Sequence, residues 1–224
     1  MDIHFEPIIA ERAPQLRVMA FEASVVNGAT PDALWQEISA AEQSVRASLE
    51  MPDVNKRPAI AATRAAYKAF GKEPNRYRPS AEALCRRAVK GLELYRSLAI
   101  IDLINLLSML TGHSIGGFDA DSIAGEALTL GVGREGEPYE AIGRGMLNIA
   151  GMPVYRDSVG GVGTPTSDND RTKLSTDTRR LLMIINMYGP AEIDAAATEA
   201  LARRLLEQYA SATDIVVSLS LIHI

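Results

Sequence analysis

The residues best suited to chemistry form a polar segment in the second half of the chain, residues 161–172. Glycines, hydroxyl residues and carboxylates follow one another there more densely than a turn requires. Such groups can hydrogen-bond an amino group, a ribose or an ester. Thr164, Thr166 and Ser167 are the predicted catalytic groups. The predicted substrate-binding residues of the same segment are Gly163, Asp168, Asp170, Arg171 and Thr172.

Two other interpretations of this segment remain open. Its polar groups could satisfy one another within a turn, or the alternating Asp168 and Asp170 could hold calcium. A calcium loop also requires a glycine and a distal glutamate, and both are missing from the pattern here. We therefore predict no metal.

A second candidate pair, Asp102 and Asn105, lies one turn apart in the apolar segment 98–111. This spacing places both side chains on one face of a predicted helix. A polar side chain buried there needs a hydrogen-bond partner, because leaving it bare costs about 1–3 kcal/mol. The pair therefore either holds the glycine-rich turn that follows or contacts a ligand. We predict that Asn105 orients a water molecule and that Asp102 binds substrate.

That turn reads Thr111-Gly-His-Ser-Ile-Gly-Gly-Phe-Asp119. Paired glycines either let the backbone approach a ligand closely or serve only to make the turn. The predicted binding residues are Gly116, Gly117, Phe118 and Asp119, and the two glycine amides are also candidate donors to an oxyanion. His113 is either a general base or a group that caps the helix end.

Other chemistries lack their signatures in this sequence. Ser167 has no glycine-flanked nucleophile turn, and there is no phosphate-binding loop or dinucleotide fingerprint. We predict no cofactor. Cys85, the single cysteine, is predicted to be a small buried apolar residue.

The elements that must position these groups indicate an α+β fold, because helices dominate the first half and short strands the second. Helices are predicted over residues 30–49, 58–70, 80–90, 98–111 and 190–210. Strands are predicted over residues 16–26, 127–132, 139–142, 153–156 and 181–187. We predict a single domain over 1–218, with a helical portion (1–111) packed against a β-rich portion with mixed sheets (112–188), followed by the last helix.

Charge is distributed unevenly along the chain. Residues 56–96 carry eleven basic and three acidic residues, a net charge of +8, so the remainder carries −13 of the total −5. Such asymmetry indicates a polyanionic partner. The residues predicted to bind this polyanion are Arg57, Arg64, Lys68, Lys72, Arg76, Arg78, Arg86, Arg87 and Lys90. The alternatives are a solvated face and a surface for an acidic protein.

Composition is that of a globular protein, with 47% hydrophobic and 23% charged residues. No apolar run reaches the roughly 20 residues of a membrane helix, and no signal pattern begins the chain, so we expect a cytoplasmic protein without a membrane partner. The last six residues, 219–224, match a translated sequencing adapter. We therefore exclude His223 from any mechanism and expect a strand cut short at 214–218.

Two runs resemble a known domain: Leu94-Tyr-Arg-Ser-Leu-Ala-Ile-Ile-Asp-Leu-Ile-Asn105 and residues 111–123. Together they resemble the editing (B3/B4) domain of the phenylalanyl-tRNA synthetase β subunit, over roughly residues 78–188. Free-standing proteins of this domain alone are closer still. Their helix start and loop motifs match Pro79-Ser-Ala-Glu-Ala-Leu84 and Gly163-Thr-Pro-Thr-Ser-Asp168.

The resemblance implies an editing activity that removes a wrongly esterified amino acid from tRNA, here acting in trans, with tRNA or aminoacyl-tRNA as the partner and no DNA. Asp102, Asn105, Phe118 and Asp119 match the family motif, whereas other positions depart from it. Gly116 replaces a histidine, Ser114 a proline and Ile104 a threonine, and positions 183–185 lack the glutamate that reads a tyrosine hydroxyl. These changes imply a preference for an apolar or small amino acid.

Two other functions stay open on the sequence alone. A non-catalytic module would bind aminoacyl-tRNA or a free amino acid without hydrolysing an ester. A protein-interaction domain would use the basic stretch to dock an acidic partner. A ligase activity is not expected, because no synthetase catalytic module is recognised.

Overall fold

A computed structural model describes residues 1–221 of the chain, and its architecture is α+β, as predicted. The helices are α1 Pro7–Arg12, α2 Asp32–Ser48, α3 Pro58–Ala69, α4 Ser80–Val89, α5 Ala99–Thr111 and α6 Ala195–Ala210. The strands of the first half and middle are β1 Asp2–Phe5, β2 Arg17–Ser24, β3 Ser114–Asp119, β4 Ala127–Val132, β5 Glu140–Ala141 and β6 Gly145–Met146. The later strands are β7 Pro153–Arg156, β8 Gly161–Gly163, β9 Arg180–Met187 and β10 Thr213–Leu221.

The strands form two four-stranded sheets and a small ribbon. The central sheet has the order β10-β2-β9-β3, and all of its neighbouring strands are antiparallel. The second sheet has the order β1-β4-β7-β8, in which only the β1–β4 pair is parallel. Strands β5 and β6 make the ribbon.

The central sheet is buried on both faces, which explains the nearly continuous apolar sequences of β2 and β9. Met19 and Phe21 point to the core that the sheet forms with α2, α4, α5 and α6. Val18 and Ala20, which alternate with them, point to a second core shared with the other sheet. This alternation is the period-two geometry of a strand. The molecule therefore has three layers, with α5 in the helical layer against the sheet.

Local stop signals place α5. The helix ends where Gly112 adopts a φ of +74°, a left-handed conformation that glycine adopts without steric cost. At the other end, the Oδ2 atom of Asp102 accepts hydrogen bonds from the amide of Ser97, at 2.9 Å, and from the hydroxyl of Thr30. Asp102 therefore anchors the segment before the helix, rather than the turn after it.

A buried carboxylate joins α3 to α4. Glu82, which is fully buried, accepts hydrogen bonds from Arg64 at 2.8 Å and from Arg86 at 2.7 Å, and it lies 3.6 Å from Arg78. Arg64 itself is mostly buried. Three predicted tRNA-binding arginines thus surround one interior charge.

The structure corrects several predicted elements. Residues 114–119 form strand β3 instead of a turn, because they pair with β9 along their whole length. The last helix begins at Ala195 instead of residue 190. Asp194 caps this start by accepting a 2.8 Å hydrogen bond from the amide of Ala197. β1 and α1 were not predicted, since both are short. The predicted helical portion 1–111 consequently contains two strands as well.

The final strand is longer than expected. β10 runs from Thr213 to Leu221 and pairs with β2, so the adapter-like residues 219–221 lie on the edge of the central sheet. His223, which we excluded from any mechanism, lies outside the described residues. The single-domain boundaries remain a prediction.

Candidate functional site

A cavity of about 240 Å³ opens between α4, α5, β3 and the segment after β8. Its walls combine aliphatic side chains with a few polar groups. The lining residues are Ser80, Leu84, Ile101, Ile104, Asn105, Ser108, Ile115, Gly117, Ile142, Thr164, Ser167, Asp168, Lys173 and Leu174. A concave, mostly apolar site with converging polar groups is the usual form of a small-ligand site.

Helix α5 supplies one wall through a single stripe of residues. Ile101, Ile104, Asn105 and Ser108 are spaced three and four apart, so they share one helix face. Asn105 is only partly buried, and its side-chain amide makes no hydrogen bond to protein within residues 1–221. Its donor and acceptor are therefore available to a ligand or a water molecule.

The opposite wall is a rigid turn around Thr164. The Thr164 hydroxyl donates to the carbonyl oxygen of Ser167 at 3.0 Å and accepts from the amides of Thr166 and Ser167 at 3.2 and 3.1 Å. The Tyr139 hydroxyl donates to the same Ser167 carbonyl at 2.8 Å. In the described part of the chain, the Ser167 hydroxyl has no such partner. Ser167 is therefore the hydroxyl of this turn that remains available for chemistry.

Asp168 brings a carboxylate to the cavity. Its Oδ2 atom accepts a 3.2 Å hydrogen bond from the Gly117 amide, while its Oδ1 atom accepts none from residues 1–221. Burial raises the pKa of Asp168 to about 7, against the opposing effect of the Gly117 hydrogen bond. The carboxyl group is therefore divided between its protonated and ionised forms near neutral pH.

Two glycines make room for an aromatic ring behind the cavity. A β-carbon on Gly116 would lie 2.6 Å from the Phe118 ring, and one on Gly163 would lie 2.5 Å from it. The same β-carbons would lie 3.2 and 3.1 Å from Oδ1 of Asp168. These glycines therefore permit the ring and the carboxylate to occupy their positions. A β-carbon on Gly117 would collide with Ile104.

Five of the predicted site residues meet in this cavity. They are Asn105, Gly117, Thr164, Ser167 and Asp168. Asn105 on α5 and the polar segment 161–172 therefore border the same cavity. The Gly117 amide is already engaged by Asp168, so it does not serve as the free oxyanion donor that we predicted.

Other predicted catalytic and binding residues lie outside the cavity lining. Thr166 is buried, and its hydroxyl lies 2.8 Å from the hydroxyl of Tyr67, so it joins the loop to α3. Asp119 accepts hydrogen bonds from the Thr178 hydroxyl and the Asp121 amide. Asp102, Gly116, Phe118 and Gly163 have the structural positions described above. The sequence placed these residues in the right region but could not show which way they face.

The end of the polar segment is also structural. Arg171 donates two 2.9 Å hydrogen bonds to Asp157 and a third to the carbonyl of Ser122. Asp170 pairs with Lys173 at 3.0 Å, and Thr172 is completely buried. Of these residues only Lys173 borders the cavity, and it was not predicted.

Sequence reasoning singled out Ile104 but missed most of the other lining residues. Ile101 and Ser108 could have been found from their helical spacing with Asn105, because that spacing defines a face. Ile142 and Leu174 come from separate loops, and no local pattern connects them to α5. Ser80 was recognised only as a helix start, yet its amide donates to the Pro165 carbonyl at 2.8 Å and so holds the loop against α4.

Three of the nine predicted tRNA-binding cations are engaged inside the protein. Arg57 donates to the carbonyls of Met109 and Leu110, Arg64 pairs with Glu82, and Lys72 is buried with bonds to two backbone carbonyls. Their separations of seven and eight residues are close to the period of one helix face, but contacts inside the protein engage all three side chains. Lys68, Arg76, Arg78 and Lys90 are exposed, and Arg86 and Arg87 are partly exposed.

His113 and Cys85 do not belong to the cavity. Burial lowers the pKa of His113 to about 4, so its ring is neutral at physiological pH. Burial also raises the pKa of Cys85, whose sulfur accepts a 3.0 Å hydrogen bond from Arg57. Cys85 is therefore a buried residue, as predicted, whereas the described residues offer Nδ1 of His113 no hydrogen-bond partner.

The described part of the chain, residues 1–221, contains no group of three or more histidine, cysteine, aspartate or glutamate side chains that could hold a metal ion. Among the helices within that range, none has the length and apolar character needed to cross a membrane.

Replacing Asp168 with asparagine is expected to change how stability depends on pH. The unfolded chain loses this proton near pH 4, whereas the folded protein holds it to about pH 7. The wild type therefore loses stability as the pH rises from about 4 to 7. Between pH 5 and pH 8, the free energy of unfolding of Asp168→Asn should therefore rise by about 2 kcal/mol relative to that of the wild type. Water in the cavity keeps this difference below the value that the full pKa shift would give.

Urea unfolding at both pH values measures this difference, and Asp177→Asn, at an exposed position, is the matched control. Identical pH dependence in wild type and Asp168→Asn would show that the carboxylate is not desolvated.

The fold and the cavity define an α+β domain with a candidate small-ligand site built on a central helix and a glycine-bordered turn. The chain belongs to the B3/4 domain family, whose model matches residues 62–210. No curated protein matches it.

One similar solved structure is an N-terminal fragment of the phenylalanyl-tRNA synthetase beta-subunit from Pyrococcus horikoshii, with 12% identity and a TM-score of 0.48. The match covers 96% of this chain and 50% of that fragment, so this chain spans half of the fragment's length.

Proposed function

We propose that this protein binds the aminoacyl end of a charged tRNA in the cavity and hydrolyses the ester, acting in trans as an editing domain. The observation that carries the proposal is the meeting of Asn105, Ser167 and Asp168 in one concave, mostly aliphatic cavity. The motif resemblance to the synthetase editing domain supports the same activity. A tRNA substrate would place the protein in the cytoplasm.

The reaction needs a positioned water and donors for a developing negative charge. Water attacks the ester carbonyl carbon, the bond from that carbon to the ribose oxygen breaks, and the ribose oxygen leaves with a proton. The products are a free amino acid and uncharged tRNA. The Asn105 amide orients the water, and the Ser167 hydroxyl donates to the carbonyl oxygen, since neither group is engaged elsewhere in residues 1–221.

Asp168 suits the ammonium group of the aminoacyl moiety. A cation close to a carboxylate favours the ionised form of that carboxylate, so the bound ammonium group would lower the raised pKa of Asp168. The aliphatic side chains of Leu84, Ile101 and Ile104 suit an apolar or small amino-acid side chain. This preference follows from their chemistry, because a tyrosine hydroxyl placed against them would lose its hydrogen bonds to water.

A panel of mischarged tRNAs tests the activity. We expect the wild type to release the amino acid faster than buffer from tRNAs that carry small or apolar amino acids. Ser167→Ala should reduce this rate by roughly 10²-fold, the usual cost of one donor to the oxyanion. Ser44→Ala, an exposed serine on α2, is the matched control and should leave the rate unchanged.

The panel also separates the competing functions. Retention of charged tRNA without release of amino acid would contradict catalysis and favour a binding module. If the wild type neither retains tRNA nor speeds release, the proposed function is wrong. Equal rates for Ser167→Ala and wild type would remove Ser167 from the reaction while leaving the activity in place.

A further inference from the structure

The outer side of α4 bears a second concave surface. A groove of about 330 Å³ lies there, lined by Met51, Arg78, Ala83, Arg86, Arg87, Lys90 and Leu92. Four of its seven lining residues are cationic. We call this surface the α4 groove.

Helix α4 separates this groove from the cavity. Ser80 and Leu84, one turn apart, line the cavity, whereas Ala83 and Arg87, also one turn apart, line the groove. Ser80 and Arg87 are seven residues apart, about two turns, so the two linings lie on neighbouring faces of α4. A chain whose end occupies the cavity can therefore pass over α4 into the groove.

An exposed aromatic residue stands beside the groove. The guanidinium carbon of Arg87 lies 4.1 Å from the centre of the Tyr95 ring, and its Nε donates a 2.7 Å hydrogen bond to the carbonyl of Glu93. Arg87 is thus held in place over one face of the ring. Tyr95 remains 77% exposed, so its other face is open to solvent.

The four cations of the groove are not all neutralised. Arg78 and Arg86 share the single carboxylate of Glu82, and Lys90 forms no ion pair within the described range 1–221. Four positive charges against one buried negative charge leave the groove positive. Such a surface attracts phosphates.

We infer that the α4 groove binds a single strand of RNA, with phosphates against its cations and a base stacked on the open face of Tyr95. This inference rests on the proposed function, since the strand would be the end that carries the aminoacyl group. Single-stranded RNA is held by just this combination of a positive groove and aromatic rings that accept stacked bases. An acidic protein would use the charges but would have no use for an open ring face.

The test is the affinity of the full chain for a labelled single-stranded RNA of roughly ten nucleotides, which is within the usual span of such sites. Tyr95→Ala should weaken binding roughly tenfold, and Tyr95→Phe should restore it, because stacking needs the ring and not the hydroxyl. Lys90→Ala should weaken binding and reduce the slope of log affinity against log salt by about one. Arg134→Ala, at an exposed position outside both the groove and the cavity lining, controls for the loss of a charge elsewhere.

Hydrolysis of a simple amino-acid ester without RNA, measured on the same variants, separates the two proposals. Tyr95→Ala with weakened RNA binding and unchanged ester hydrolysis supports the groove. If the wild type binds the RNA and Tyr95→Ala binds it equally well, the groove is wrong while the proposed function stands. If polyglutamate binds the wild type as tightly as the RNA does, and Tyr95→Ala changes neither affinity, the surface fits an acidic protein instead. If the wild type does not bind RNA, the groove inference fails, and ester hydrolysis then reports separately on the cavity.

Discussion

Glu82→Ala is expected to lower the free energy of unfolding by about 3–5 kcal/mol, the usual cost of removing one partner from a buried ion pair. Glu82 is fully buried, and Arg64, which donates to it at 2.8 Å, is largely withdrawn from water. Without the carboxylate, the Arg64 charge would stay buried and partly unpaired. Arg78 and Arg86 would repel it and each other.

A second glutamate in the chain provides a matched control. Glu199 on α6 pairs with Arg203 four residues later, and the same spacing joins Glu82 to Arg86. Both side chains of the Glu199–Arg203 pair are exposed, however. Glu199→Ala should therefore cost less than about 1 kcal/mol. Urea unfolding followed by circular dichroism measures both variants, and similar losses for the two would show that burial of Glu82 does not govern its effect.

Asn105→Ala is expected to reduce the proposed ester hydrolysis by roughly 10²–10³-fold. The amide points into the cavity without an internal partner, so its removal takes away the group that orients the attacking water. Its effect on folding should be small, below about 1 kcal/mol, because no hydrogen bond within residues 1–221 is lost. A large loss of rate with little loss of stability would mark Asn105 as a residue of the reaction.

The measurement is single-turnover release of amino acid from a mischarged tRNA, with enzyme in excess. Asn55→Ala, at a position remote in sequence and outside the cavity lining, serves as the control and should retain the wild-type rate. If Asn105→Ala hydrolyses the ester at the wild-type rate, Asn105 does not orient the water. If it hydrolyses slowly and also unfolds at much lower urea, its role is structural.

Local residue patterns predicted several elements with their correct bounds. Helix α5 ends at Gly112 as expected, and the strands 127–132 and 153–156 have their predicted bounds. These features depend on near neighbours: a glycine that adopts a left-handed conformation, or an apolar run between turns. Residues 114–119 were predicted as a turn from their glycines, but Gly117 makes room for Ile104 of α5, a contact between separate elements that no local rule reveals.

The direction of side chains was the least predictable part of the site. Asn105, Ser167 and Asp168 were singled out from residue type, and all three line the cavity. Thr166 stands beside Ser167 in the sequence, yet its hydroxyl is buried against Tyr67. Adjacent residues of a chain point in different directions, so Ser167 can face the cavity while the hydroxyl of its neighbour Thr166 faces the core.

By itself, the sequence determined the α+β class, the family resemblance and an unequal division of charge, because these depend on composition, periodicity and motif. Only the tertiary structure decided which polar residues share the cavity and which cations are free. Arg57, Arg64 and Lys72 have the helical spacing of an exposed stripe, but carbonyls and a buried glutamate from other segments engage them. Desolvation and pairing depend on what surrounds a charge in three dimensions, and the spacing of residues along one helix does not contain that information.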